Sequence, residues 1–150
     1  MAMKHLCLAM ILLVSGCVSN QPTATIGPGQ SVEQQLLNQF RVSNGAVPVQ
    51  EDAQLTAAAR AHANDMAERG YFAHVSPTGG TLSARLKQQN YDFCFAAENI
   101  AQGQITVEQV MQAWKTSRGH RENMLAREAV QFGLARAPGN TWVMVLGAKC

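Results

Sequence analysis

The stretch Thr141-Trp142-Val143-Met144-Val145-Leu146-Gly147-Ala148 is apolar on both of its alternating faces. Successive side chains of a strand point to opposite sides, so Trp142, Met144 and Leu146 share one face and Val143 and Val145 the other. A strand with one wet face alternates apolar with polar residues, whereas one that is apolar on both faces is covered on both. This segment therefore reads as a central strand with material packed above and below it. Val130 to Ala135 lies just upstream, and the intervening Pro138-Gly139-Asn140 has turn chemistry, so the two segments read as a hairpin. Phe93 to Ala101 supplies a further strand.

The covering material comes earlier in the chain. Val32, Leu36, Leu37 and Phe40 recur at helical spacing behind Ser31, a capping residue, and Asn44-Gly45 ends the run. Leu55, Ala58, Ala59, His62 and Met66 give a second stripe, capped by Asp52 and closed by Glu68-Arg69-Gly70. Thr81 to Gln89 reads as a short third helix. Val107, Val110, Met111 and Trp114 mark a fourth, capped by Thr106, with Glu108 in the first turn where the helix dipole favours it. Helices first and strands late, around a strand covered on both sides, predict an α+β layered sandwich.

The chain has 150 residues and a net charge of +2. Residues 1–16 read as a signal peptide: Lys4 is a short positive start, and Leu6 to Val14 is an apolar run too short for a stable membrane span. Val14-Ser15-Gly16-Cys17 resembles a bacterial lipobox, in which cleavage precedes a cysteine that is then acylated. Cys17 is thus the expected lipidation site. Val18 follows it rather than Asp, which by analogy with Gram-negative sorting points to the outer membrane if the source is Gram-negative. Residues 17–31 hold the acylated cysteine and a polar, Pro- and Gly-containing tether, and residues 32–150 form one domain. Removal of residues 1–16 takes away Lys4 and no acid, leaving eleven basic against ten acidic residues. No basic stripe or aromatic ladder suggests nucleic acid. Cys7 leaves with the signal. Cys94 and Cys150 remain as an even pair in an oxidising compartment and are read as a disulfide clipping the last strand to the middle of the domain; the alternative is a free Cys94 in a strand and a loose Cys150.

Three residues carry the chemistry. His74 sits in a corner after Gly70-Tyr71-Phe72 and before Val75-Ser76-Pro77. Glu98 lies in a mostly apolar strand, where an unpaired carboxylate is costly, so it needs a histidine, an arginine, backbone N–H groups or a metal. His120 follows Ser117-Arg118-Gly119 after the fourth helix. Two neutral imidazoles and one carboxylate match a catalytic-type Zn2+ shell with an open position for water. The same trio without metal makes a hydrogen-bonded polar cluster, and spacing leaves both readings open. There is no HExxH helix, and no GxSxG elbow surrounds Ser76 or Ser117. His62, near an apolar helical stripe, reads as a packed and hydrogen-bonded histidine, and Trp114 as core. Asn99, beside the cleft, and Arg121 and Asn123, beside His120, read chiefly as scaffold.

The phrases FAHVSP (72–77), AENIAQG (97–103), the Trp114 helix, SRGHRENML (117–125) and QFGLARA (131–137) stand in the order found in the CAP superfamily. That family comprises cysteine-rich secretory proteins, antigen 5 and pathogenesis-related proteins, and includes bacterial SCP-like extracellular proteins. The resemblance spans roughly residues 33–150. It implies an α-β-α sandwich with a central antiparallel sheet between helical layers and a large cleft. It also implies that His74, Glu98 and His120 are three corners of a cleft tetrad of two histidines and two acids. At the fourth corner many eukaryotic members carry a glutamate about one turn after the helix tryptophan; here Ser117 stands nearest. Ser76, Ser117 and Asn99 are expected to line the cleft. The leading functional expectation is a lipid-anchored envelope module binding a small apolar, lipid, peptide or cell-wall ligand, with a divalent metal as an option, since the family includes lipid- and sterol-binding members. The alternatives are a zinc-dependent hydrolase, with His74 and His120 as ligands and Glu98 as ligand or catalytic general base, and a structural envelope protein without chemistry.

Overall fold

The computed structural model describes residues 29–150. The expected signal peptide, the expected lipidation site Cys17 and most of the expected tether lie outside them. The described chain runs α1 (Val32–Ser43), β1 (Gln50–Glu51), α2 (Ala53–Arg69), α3 (Leu82–Gln88), β2 (Phe93–Gln102), α4 (Val107–Thr116), α5 (Arg118–Met124), β3 (Gln131–Ala137) and β4 (Thr141–Lys149). The sheet order is β1-β3-β4-β2. β4 is central, antiparallel to both β3 and β2, and the short β1 adds to β3 in parallel at one edge.

The two faces of β4 are buried as its alternation requires. Trp142, Met144 and Leu146 join a core with Leu37, Val110, Met111, Trp114 and Met124 from α1, α4 and α5. Val143 and Val145 join the other core, with Leu55, Ala59, Met66 and Leu86 from α2 and α3. The result is an α-β-α sandwich. Helix α2 lies so close to the sheet that a Cβ on Gly133 would collide with the backbone of Leu55 and Thr56. That approach brings the buried face of α2, including His62, down onto the sheet.

The expected caps form. Ser31, Asp52, Thr81 and Thr106 each accept a first-turn N–H, and Gly70 ends α2 in the left-handed region at φ 69°. A Cys94–Cys150 disulfide joins the start of β2 to the end of β4 across a sequence separation of 56. Closing a loop of that size removes about 4 kcal/mol of chain entropy from the unfolded state.

Two features depart from the sequence reading. Helix α1 is rotated relative to its apolar stripe: Val32 is exposed, Leu36 and Phe40 sit at the margin, and Gln34, Leu37, Asn38 and Arg41 face inward. The inward polar groups serve main-chain atoms. Asn38 exchanges two hydrogen bonds with Val49, and Arg41 donates to the carbonyls of Val47, Met124, Ala126 and Ala129. Hydrophobic periodicity does not register such residues. The second departure is α5, a seven-residue helix where Ser117-Arg118-Gly119 suggests only a turn. Its carbonyl end is held by Arg41, so tertiary contacts supply what local propensity does not.

Replacing Arg41 with Met leaves several buried carbonyls without a donor, each costing about 1–3 kcal/mol. Denaturant unfolding of Arg41→Met is expected to show a loss of at least about 3 kcal/mol, and a loss near zero would mean those bonds do not hold α5 in place.

Candidate functional site

Glu98 stands mid-way along β2, opposite Val145, and its side chain points to the α2–α3 side of the sheet. The carboxylate is only 3% exposed. Arg85 of α3 donates from Nη2 to Oε2 at 2.6 Å, and His74 donates from Nδ1 to Oε1 at 2.9 Å. His62 of α2 places Nε2 3.8 Å from Oε1. The partner that an acid in an apolar strand requires is thus an arginine first and a histidine second.

Arg85 also builds the loop that carries His74. Its guanidinium donates to the carbonyls of His74 and Gly80. Within the loop, Ser76 bonds Gly80 through N–H to C=O, and its Oγ accepts the Gly80 N–H at 2.8 Å while meeting Thr78 Oγ1 at 3.0 Å. A Cβ at Gly80 would press on that Ser76 hydroxyl. With its loop fixed and its Nδ1 on Glu98, His74 leaves the rest of its ring half-exposed.

His120 enters from the other side. It lies on α5, half-buried, with its ring edge-on to Trp114 at 6.5 Å between centroids. Asn99 is fully buried on the sheet face opposite Glu98; its Nδ2 donates to the His120 carbonyl at 3.0 Å and its Oδ1 accepts from Asn123 at 2.9 Å. Asn123 also donates to the Glu98 carbonyl. Burial, helped by the nearby charge of His74, holds the His120 imidazole below its ordinary pKa. The two histidines are therefore near one another and are held from opposite faces of β2.

Not every expected residue has its expected place. Asn99 does not line the open cleft; it is consumed in bonds that dock α5, the scaffold role its position suggested. Ser76 is buried as the staple of its turn and lines a cavity of about 250 Å3 with His62, Asp65, Thr78, Arg85 and Gln88. Ser117 caps α5 by backbone position only, with no side-chain bond into the helix. The expected zinc shell of His74, His120 and Glu98 is not assembled. Both oxygens of Glu98 are engaged, one by a guanidinium, and among the described residues no three His, Cys, Asp or Glu side chains are arranged to hold one metal ion. With its Nδ1 on Glu98, His74 keeps only Nε2 for an ion, an arrangement in which Glu98 orients the histidine rather than completing a three-ligand shell.

Sequence reasoning missed Arg85, whereas His62 is packed and hydrogen-bonded as expected. His62 is 1% exposed and bonds Tyr71 through Nδ1 at 3.5 Å; Tyr71 donates to Asp65, which pairs with Arg69 at 2.6 Å. Its Nε2 faces Glu98 without a hydrogen bond. Burial pushes the His62 pKa down, and burial with the Asp65 contact pushes Tyr71 up to about 12. The available signal for Arg85 was its place next to Leu86 on the inner face of a short helix, together with a buried acid that lacked a named cation.

Because His62 and His120 bind protons less readily in the folded state, the unfolded chain takes up more protons below pH 6.5. Stability contributed by the neutral rings is present above that value and is lost as pH falls through it. Urea unfolding at pH 7.5 and 5.5 is expected to show the lower stability at pH 5.5, and NMR titration should place both imidazole midpoints below 6.5; midpoints at or above the ordinary value would contradict the burial argument.

The comparisons agree with this architecture. Residues 34–146 match the family model described as the cysteine-rich secretory protein family, CAP. The chain is 38% identical to the uncharacterized protein YkwD of Bacillus subtilis (strain 168) over 109 residues, which cover 72% of this chain and 42% of that protein. It is 34% identical to the uncharacterized membrane protein YlbC of the same organism over 99 residues, covering 66% of this chain and 29% of YlbC. The chain thus spans less than half the length of these relatives. Among solved structures, an extracellular protein containing an SCP domain from Bacillus anthracis superposes with a TM-score of 0.75 and 31% identity, covering 78% of this chain and 39% of that one. An outer surface protein of Borrelia burgdorferi shares the fold at a TM-score of 0.71 and 21% identity, covering 78% of this chain and 90% of that one.

Proposed function

The chain belongs to the cysteine-rich secretory protein (CAP) family, and we propose that it is an exported, envelope-facing binding module whose cleft recognises a ligand without catalysing a reaction. The observation that carries this reading is the state of Glu98. A general base or a metal ligand needs a carboxylate oxygen directed at water or at the ion. Here one oxygen is held by Arg85 at 2.6 Å and the other by His74 at 2.9 Å, so the acid serves to fix the cleft wall. Ser76, a candidate nucleophile, is spent on its own turn. What faces the solvent is a half-exposed imidazole beside the exposed Phe72 and Val75, opposite His120. Polar groups fixed by buried partners and flanked by apolar surface are the makings of a recognition site.

Export is supported by the signal-like residues 1–16 and by the extracellular description of the similar protein from Bacillus anthracis. In this reading Cys17 carries the acyl anchor and residues 18–31 hold the domain off the membrane, which is the outer membrane where the source is Gram-negative. Two or three acyl chains, at about 0.8 kcal/mol per buried methylene, are ample for a domain of this size.

Zinc calorimetry at neutral pH separates this reading from a metal hydrolase. The protein is expected to show no tight stoichiometric binding, with His74→Ala/His120→Ala behaving like wild type. Tight one-to-one binding abolished in the double variant would overturn the reading and establish a metal site at the two histidines.

A further inference from the structure

We infer that the cleft takes an extended acidic peptide, paired as an added strand on the open edge of β2 at Ala96–Glu98. The inference rests on the binding reading above and names the class of ligand.

β2 has β4 on one side only. In an antiparallel ladder alternate residues bond the partner and the others turn their N–H and C=O outward. The parity of β2 can be read from its side contacts. Trp114 Nε1 donates to the Ile100 carbonyl and Asn123 Nδ2 to the Glu98 carbonyl, so Ile100 and Glu98 face outward. The register with β4 is regular from Phe95 to Gln102, so Ala96 faces outward as well. β4 agrees: opposite Ala96 stands Gly147, whose carbonyl is used by Val130 on the β3 side.

The outward edge is thus treated unequally. From the Glu98 carbonyl onward side chains of α5 and α4 meet its carbonyls, Asn123 at Glu98 and Trp114 at Ile100. Before that point, among the described residues, the N–H and C=O of Ala96 and the N–H of Glu98 have no hydrogen-bond partner. Proteins ordinarily cover or blunt such an edge. Here the open stretch is short, and it is flanked by His74, which the Glu98 side chain reaches on one sheet face, and by His120, whose carbonyl the Asn99 side chain reaches on the other. A donor-acceptor-donor run at strand spacing matches a polypeptide main chain, as in other recognition by strand addition. A peptide laid on it would send successive side chains alternately toward the His74 wall and the His120 wall.

Charge narrows the choice. Glu98 is matched by Arg85, and Asp65 by Arg69. The ionisable groups left on the two walls are His74 and His120, which are neutral or positive and, as neutral rings, still offer N–H donors. Acidic side chains suit both walls; lysine side chains suit neither.

The test uses the full-length 15N-labelled protein and two probes, acetyl-Val-Glu-Val-Glu-Val-amide and its lysine counterpart. The glutamate peptide is expected to shift the amides of Ala96 and Glu98 downfield and slow their exchange, and to bind about tenfold or more tightly than the lysine peptide. Ala96→Pro deletes one outward donor without breaking a ladder bond, a substitution edge strands tolerate. It is expected to weaken binding by up to about tenfold with an unchanged melting temperature. Should that variant fail to fold, the wild-type amide shifts decide. Perturbation of His74 and His120 with Ala96 and Glu98 amides unmoved would overturn strand addition while leaving the cleft a binding site. No perturbation anywhere in the cleft by either peptide would overturn the peptide assignment, and stoichiometric zinc binding in the earlier calorimetry is the separate result that would overturn the binding reading.

Discussion

A carboxylate buried in an apolar strand is the constraint around which this molecule is organised. An unpaired ion there would cost several kcal/mol, so Glu98 must be met by positive and hydrogen-bonding groups from its surroundings. Arg85 answers from α3 and His74 from the loop after α2. Satisfying one acid therefore sets the position of two elements. Because Arg85 spends its remaining donors on the carbonyls of His74 and Gly80, the same guanidinium that neutralises the acid also shapes the loop that presents His74.

The opposite face of β2 follows the same logic with neutral groups. Asn99, the next residue along, is fully buried and exchanges its amide with the His120 carbonyl and Asn123. Arg41 completes the arrangement from α1 by holding the carbonyls at the end of α5 and the segment after it. The two cleft histidines are thus positioned from opposite sides of one strand, one by an ion pair and one by an amide relay. Both devices hold their groups in fixed positions.

How much of this was legible beforehand depended on the kind of signal. β4 was readable because both faces of Trp142–Leu146 are apolar, and the capped helices were readable because Ser31, Asp52, Thr81 and Thr106 precede clear stripes. The disulfide followed from an even count. The need of Glu98 for a partner was readable from its apolar neighbours. Which partner was not, since Arg85 looks in sequence like any charged residue on a short helix. The rotation of α1 was hidden for the same reason: Gln34, Asn38 and Arg41 are buried to satisfy main-chain atoms from segments as far as 88 residues away. Helix α5 carries no strong propensity and exists through its docking. Long-range hydrogen bonds leave no periodic trace, and one of them gives Glu98 its guanidinium partner from α3.

The central claim is that Glu98 is committed to Arg85. A double-mutant cycle with Arg85→Met, Glu98→Gln and the pair, read by denaturant unfolding, tests it most directly. Either single change strands a buried partner and is expected to cost about 3–5 kcal/mol, whereas the double variant, with no charge left, should cost much less than the sum. A coupling of about 2 kcal/mol or more is the predicted result. Additive losses would mean that Glu98 and Arg85 do not depend on one another, and the account of the cleft would fail.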